Sequence, residues 1–184
     1  MVPTMHDPSA DVFIGVGSSI EPMKNVPRAV ALLTGRVRVV AASRFYLTEP
    51  LGRPADPPFA NGVLRIWTTL PTRRLKLEVL RPTESALGRA RRGDPWGPRT
   101  IDLDILLHGA EVSSAPDLVL PAPEISERPF VAAALVELEP GLALPGTGEL
   151  LSALVDEDAR RELVEIPRLT AAVRDILRGT RPGT

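Results

Sequence analysis

The chain has 184 residues, enough for one domain with a sizeable core. A formal net charge of −1, with 24% charged residues, argues against a polybasic nucleic-acid coat or membrane patch. Cysteine is absent, which excludes disulfides and thiolate metal sites; no apolar run approaches the ~20 residues of a membrane span, and MVPTMHDPSAD lacks the basic-then-apolar order of a signal peptide, so the cytoplasm is the expected location.

Residues 11–19, DVFIGVGSS, are an apolar run closed by Gly-Ser-Ser, a strand followed by a turn. In 22–34, Val26, Val30 and Leu33 recur at helical spacing before Gly35; Pro27 predicts a late start or a bend. RVRVVAASRFYLTEP, 36–50, is rich in β-branched residues and alternates, so it reads as one strand, and FANGVLRIWTTL, 59–70, as another. Between them TEPLGRPADPPF has too many prolines for either element and reads as a functional loop. Leu75, Val79, Leu80 and Leu87 mark a helix over 71–88, TIDLDILLHG a strand, EVSSAPDLVLP a hairpin and ERPFVAAALVELEPG a further helix. This is the split β-α-β order of an α+β fold, with an added β-hairpin and C-terminal helices; an antiparallel sheet with helices on one face is expected. The whole chain, 1–184, reads as a single domain with its core at about 11–150, followed by a polar helical extension at 151–184.

The strand at 100–109 carries the chemistry. Successive strand side chains alternate faces, so Asp102 and Asp104 share one face while Ile101, Leu103 and Ile105 point into the core. Two adjacent carboxylates repel and call for a countercharge. A divalent cation supplies it, and all-oxygen ligation suits Mg²⁺, which takes one or two carboxylates and completes its shell with water and phosphate. A bare D-x-D is more often a solvated pair on an exposed strand face. Here Arg89, Arg91 and Arg92 precede it and Arg99 stands at its mouth, a grouping that suits a Mg-polyphosphate because guanidinium binds phosphate oxygens bidentately. Alone, RARR would read as a solvated loop, and Trp96 as either a hinge residue or the wall for a flat ligand. No G-x-x-x-x-G-K-[ST] occurs, and Gly15 and Gly17 are too few for a dinucleotide fingerprint. His6 and His108 are too isolated for a metal cluster.

RARRGDPWGPRTIDLDILL resembles the signature of the 6-hydroxymethyl-7,8-dihydropterin pyrophosphokinase family of folate biosynthesis. TEPLG at 48–52, FANGV at 59–63, ESALGR at 84–89 and ERPFV at 127–131 resemble its supporting motifs, so the likeness spans about 11–150. The resemblance implies a ferredoxin-like fold, ATP as co-substrate, two Mg²⁺ ions, and transfer of pyrophosphate from ATP to the pterin hydroxymethyl group with release of AMP. It implies that Asp102 and Asp104 hold both metals, that Arg89 and Arg99 clamp the polyphosphate with Arg91 helping, and that Arg128, Glu84 and Ile105 lie near ATP. It also implies a pterin between Phe130 and either Phe59 or Trp96, with Thr48, Leu51 and Asn61 along its edge. Partners are then small molecules, with neither nucleic acid nor membrane, and the chain a monomer or weak homo-oligomer.

Three positions depart from the family pattern. Ser19 stands for the usual Asn, Ala122 for the usual His, and Pro123 for a frequent aromatic. These weaken the expected ATP set, and a histidine returned to position 122 would be expected to tighten ATP binding. Two other readings stay open: a homologue that binds pterin or ATP without turnover, separable by AMP release, and a nucleic-acid-binding ferredoxin-like module. The latter needs aromatics on its sheet face for base stacking, and the chain has only seven.

Overall fold

The computed structural model describes residues 9–50, 55–89 and 97–180; Leu51, Arg91 and Trp96 lie outside that range. In chain order the elements are β1 (Ala10–Ser18), α1 (Pro22–Thr34), β2 (Arg38–Ala42), β3 (Tyr46–Thr48), β4 (Phe59–Thr68) and α2 (Thr72–Arg74). A π-helical turn (Leu75–Leu80) leads into α3 (Arg81–Ala86), then β5 (Asp102–His108), the hairpin β6 (Ser113–Ala115) and β7 (Leu118–Leu120), α4 (Glu124–Glu127) and α5 (Pro129–Leu138). The chain ends with a 3₁₀ turn (Leu151–Ala153), α6 (Glu157–Arg161), β8 (Val164–Glu165) and α7 (Pro167–Gly179). The main sheet runs β5-β1-β4-β3-β8 with β2 also on β4, and every pairing is antiparallel.

Helix α1 begins at Pro22 and continues through Pro27 rather than starting late. Proline suits a first helical position, where its missing N–H is one the helix leaves unpaired anyway. The stretch 36–50 is two strands. Between them Ser43 N donates to Val63 O at 2.9 Å and Val63 N donates to Ser43 Oγ at 2.9 Å. Phe45 then turns its ring under Gly62, where a Cβ would sit 2.8 Å from Phe45 Cδ1. That close approach needs a glycine at position 62.

Helices cover both faces of the sheet, not one. On the first face Val12, Ile14 and Val16 of β1, Leu64 and Ile66 of β4, and Ile101, Leu103 and Ile105 pack with Val26, Val30 and Leu33 of α1 and Leu80 beside α3. On the second, Phe13, Val63, Leu106 and Leu107 meet Ile125, Val131, Ala134 and Leu135 of α4 and α5. Burying residues such as these contributes about 1.5–3 kcal/mol each against leaving them in water. The expected helix at 127–141 is broken at Arg128, whose extended backbone (φ −122°, ψ 107°) separates α4 from α5.

Residues 164–179 of the C-terminal extension pack against the rest of the domain. Strand β8 adds to the sheet edge beside β3, Ile166 N donates to Phe45 O at 2.7 Å, and Leu169, Val173 and Leu177 of α7 join the first core. Thr170 Oγ1 accepts from Phe45 N at 3.0 Å. No helix among the described residues is long and apolar enough to cross a membrane.

Candidate active site

The second face of the sheet has a hollow next to α5, and two glycines create it. Register places Gly17 between Asn61 of β4 and Asp102 of β5, and Gly15 between Val63 and Asp104. Cross-strand neighbours share a face, so each glycine removes a side chain from the middle of a row and leaves carboxylates on one side and Asn61 and Phe59 on the other. The result is a cavity of about 210 Å³. Its floor includes Asp102, Asp104, Asn61 and Leu106, with Arg99 at one end and Glu124, Arg128 and Phe130 on the wall that α4 and α5 supply. A shift in the β1–β5 register between Phe13 and Ile14 marks an irregularity in β5, and Leu106 and Leu107 both join the second face.

The charges are ordered around Asp102. Arg89 Nη1 donates to Asp102 Oδ1 and Arg99 Nη1 donates to Asp102 Oδ2, one guanidinium on each carboxylate oxygen. Arg89 Nη1 also donates to Glu84 Oε1 at 2.5 Å and to the carbonyl of Ile101 at 3.2 Å. Asp104, on the same face, is exposed. The loop that carries Arg99 is clamped by the bend after β1: Ser19 N and Ile20 N donate to Arg99 O at 3.0 Å each, and Arg99 N donates to Ser19 Oγ at 2.9 Å. Ser18 Oγ donates to Thr100 O at 2.6 Å. Ser19 thus supports Arg99 through its hydroxyl.

Across the glycines, Asn61 Nδ2 donates to Thr48 Oγ1 at 2.6 Å. This fixes the carboxamide so that Oδ1 lies over Gly17, 2.6 Å from where a Cβ would be. Phe59 and Phe130 are both half-buried in the cleft, and the Arg128 guanidinium sits over the Phe130 ring at 5.4 Å. Burial pushes the Arg128 guanidinium below the usual arginine value, while Glu124 and then Glu127 pull it back up.

The cleft therefore gathers Asp102, Asp104, Arg99, Arg128, Phe59, Phe130 and Asn61. Arg89 reaches it through Asp102, and Thr48 through Asn61. Two residues expected near ATP, Ile105 and Glu84, do not line this cleft. The Ile105 side chain packs in the core on the opposite face, because strand alternation puts it there if Asp104 faces the cleft. Glu84 is 1% exposed and lies behind Arg89. Ala122 is also buried, packed in the second core, with its N–H donating to Leu106 O at 2.9 Å; a larger side chain there meets that core. Leu51, Arg91 and Trp96 lie outside the described residues. Sequence reasoning missed Gly15, Gly17 and Glu124 as cleft residues; the signal for the glycines was their spacing of two within a strand.

Among the described residues no group of three or more His, Asp or Glu is arranged to hold a metal alone. The two aspartates suit a cation that completes its shell with water and phosphate, as Mg²⁺ does. An α+β sheet presenting paired carboxylates and arginines beside an aromatic-walled hollow suits an enzyme of phosphoryl transfer. Residues 13–140 match the 7,8-dihydro-6-hydroxymethylpterin-pyrophosphokinase family, and the chain belongs to it. It is 37% identical over 156 residues to the 2-amino-4-hydroxy-6-hydroxymethyldihydropteridine pyrophosphokinase of Pseudomonas aeruginosa, covering 82% of this chain and 95% of that one. It is 41% identical over 138 residues to the enzyme of that name from Methylorubrum extorquens, covering 73% and 85%. A solved Plasmodium falciparum HPPK-DHPS matches with a TM-score of 0.64 at 11% identity over 83% of this chain; the chain spans 45% of that longer protein, and the likeness there is one of fold.

Proposed function

We propose that this chain carries out ATP-dependent pyrophosphoryl transfer to the hydroxymethyl group of 6-hydroxymethyl-7,8-dihydropterin, the reaction of its family in folate biosynthesis. The hydroxymethyl oxygen attacks the β-phosphorus of ATP, the bond between that phosphorus and the α–β bridging oxygen breaks, AMP leaves and the hydroxyl proton is released. The observation that carries this reading is the row Asn61–Gly17–Asp102, which sets a polar reader for a flat ligand and a charged phosphate-side cluster on one floor.

Asp102 and Asp104 are the residues that would hold Mg²⁺. When bound, the metal supplies charge neutralisation for the polyphosphate and lowers the proton affinity of the attacking hydroxyl. The protein's own task is positioning. Arg89 and Arg99 already converge on one carboxylate, so an incoming phosphate finds two guanidiniums aimed at one place and can replace Asp102 as their anionic partner. Arg128, partly desolvated on the wall, is the third cation suited to ATP. Phe59 and Phe130 flank the pterin, and Asn61, its Nδ2 engaged by Thr48, offers Oδ1 to ring N–H donors.

Product identity tests the reading. Incubation with Mg-ATP and the hydroxymethyl-dihydropterin yields AMP and the pterin diphosphate in equal amounts. ADP with a pterin monophosphate contradicts it, and binding of both substrates with no product favours the non-catalytic homologue.

A further inference from the structure

Glu84 is the least exposed ionisable group near the cleft, yet it does not line it. Its Oε1 accepts from Arg89 Nη1 at 2.5 Å and from the backbone N–H of Leu103 at 2.9 Å. Leu103 lies between Asp102 and Asp104 in β5, the terminal strand of the sheet. Among the described residues no further strand pairs with β5 to receive that N–H, and a buried donor without a partner is costly. One carboxylate oxygen therefore links the backbone between the two aspartates to the guanidinium that grips one of them. Glu84 lies in α3, directly after the π-helical turn. One extra residue in a turn rotates everything after it by about 100° relative to a plain α-helix.

We propose that Glu84 is a positioning residue for pyrophosphoryl transfer, acting through Arg89 and never touching substrate. The proposal rests on the reading of the cleft given above. A buried carboxylate is stable only when paired and hydrogen-bonded, and Glu84 meets both conditions with Arg89 and Leu103. When a phosphate replaces Asp102 as the anionic partner of Arg89, Glu84 stays in place. The guanidinium keeps one fixed carboxylate behind it, so the exchange occurs without reordering a long side chain.

Glu84→Gln keeps the size of the side chain and an acceptor for Leu103 N–H but removes the charge. Calorimetric titration with Mg²⁺ and α,β-methylene-ATP is expected to show binding weakened roughly tenfold, the loss for reducing a charge-assisted contact to a neutral one. Arg89→Ala is expected to weaken it more, and the double variant to match Arg89→Ala alone, because the guanidinium through which Glu84 acts is then gone while glutamine still accepts from Leu103 N–H. Losses that multiply in the double variant, or a Glu84→Gln protein equal to wild type, would overturn the proposal. A second measurement leaves Glu84 intact. In Asp102→Asn, the Arg89 Nη groups should still give separate, slowly exchanging NMR signals, held by Glu84; averaged signals would show that Asp102 alone had held them. A wild-type protein that binds the analogue but forms no AMP with the pterin counts against the catalytic reading and leaves the Glu84 cycle readable.

Discussion

Gly17→Ala probes the floor where its two halves meet. A Cβ at this position would lie 2.6 Å from Asn61 Oδ1, and ordinary contact begins near 3.4 Å, so the carboxamide must retreat by about 0.8 Å. It cannot do so freely, because Nδ2 is bonded to Thr48 Oγ1 at 2.6 Å on its other side. Losing that bond costs ~1 kcal/mol and a side chain pushed off its rotamer costs a further ~0.5–1.5 kcal/mol. A displaced Asn61 also forfeits its hydrogen bond to the pterin and leaves the ring donor unpaired, about 2 kcal/mol of binding or roughly 30-fold in affinity. Steady-state kinetics with each substrate varied in turn should show KM for the pterin raised by that order, with KM for ATP within about twofold, since Arg89, Arg99 and Arg128 are untouched. Tm should fall by about 4–8 °C, since the strain and the lost Asn61–Thr48 bond burden the folded protein before any ligand binds. An unchanged pterin KM would refute the claim that Asn61 reads the pterin from its place over Gly17.

Asp102→Asn and Asp104→Asn should each lower kcat by more than tenfold, about 1.4 kcal/mol of barrier; only Asp102→Asn should lower Tm measurably, since Asp102 is paired with two arginines and Asp104 is exposed. Burial, and then the negative charge of Glu137, hold the Tyr46 phenol above its ordinary value near 10. The folded state thus favours the protonated form, and this contribution is full below about pH 10 and lost as pH rises through the folded value; Tm measured above pH 10 should fall more steeply in wild type than in Tyr46→Phe. Leu169→Ala, at a fully buried position of α7, should cost ~2–5 kcal/mol in denaturant titration, and a loss under 1 kcal/mol would contradict the place of α7 in the first core. Ala122→His should destabilise by ~1–3 kcal/mol through overpacking and leave the Kd for an ATP analogue no tighter, the reverse of what the family pattern alone implies.

Much of the site is legible from strand periodicity. Alternation in TIDLDILL is enough to put Asp102 and Asp104 on one face and Ile101, Leu103 and Ile105 on the other, and the structure has them so. The same rule, carried one residue further, takes the Ile105 side chain out of the cleft. Helices on both faces are harder to read, because α5 is apolar nearly all round and declares burial without saying against which face. The stripe Leu169, Val173, Leu177 was present in the C-terminal stretch, yet its many charged neighbours mask it. The split of 36–50 turns on Phe45 fitting under Gly62, a contact between segments that no local pattern announces. The π-helical turn likewise has no propensity signature; the place of Glu84 near the nucleotide is what the family resemblance implies, and its pairing with Arg89 is visible only in the structure.

The central claim is that Asp102 and Asp104, steadied by Arg89 and Arg99, form the phosphate-side centre of a pyrophosphokinase. The most direct measurement is the initial rate of AMP formation from ATP and 6-hydroxymethyl-7,8-dihydropterin, followed as Mg²⁺ is titrated into chelator-treated protein, for wild type and Asp104→Asn. The account predicts no AMP in chelator, full recovery with Mg²⁺ for wild type, and a rate below about a tenth of it at every Mg²⁺ concentration for the variant. AMP formation that persists in chelator, or an Asp104→Asn titration that overlays the wild-type curve, would contradict it.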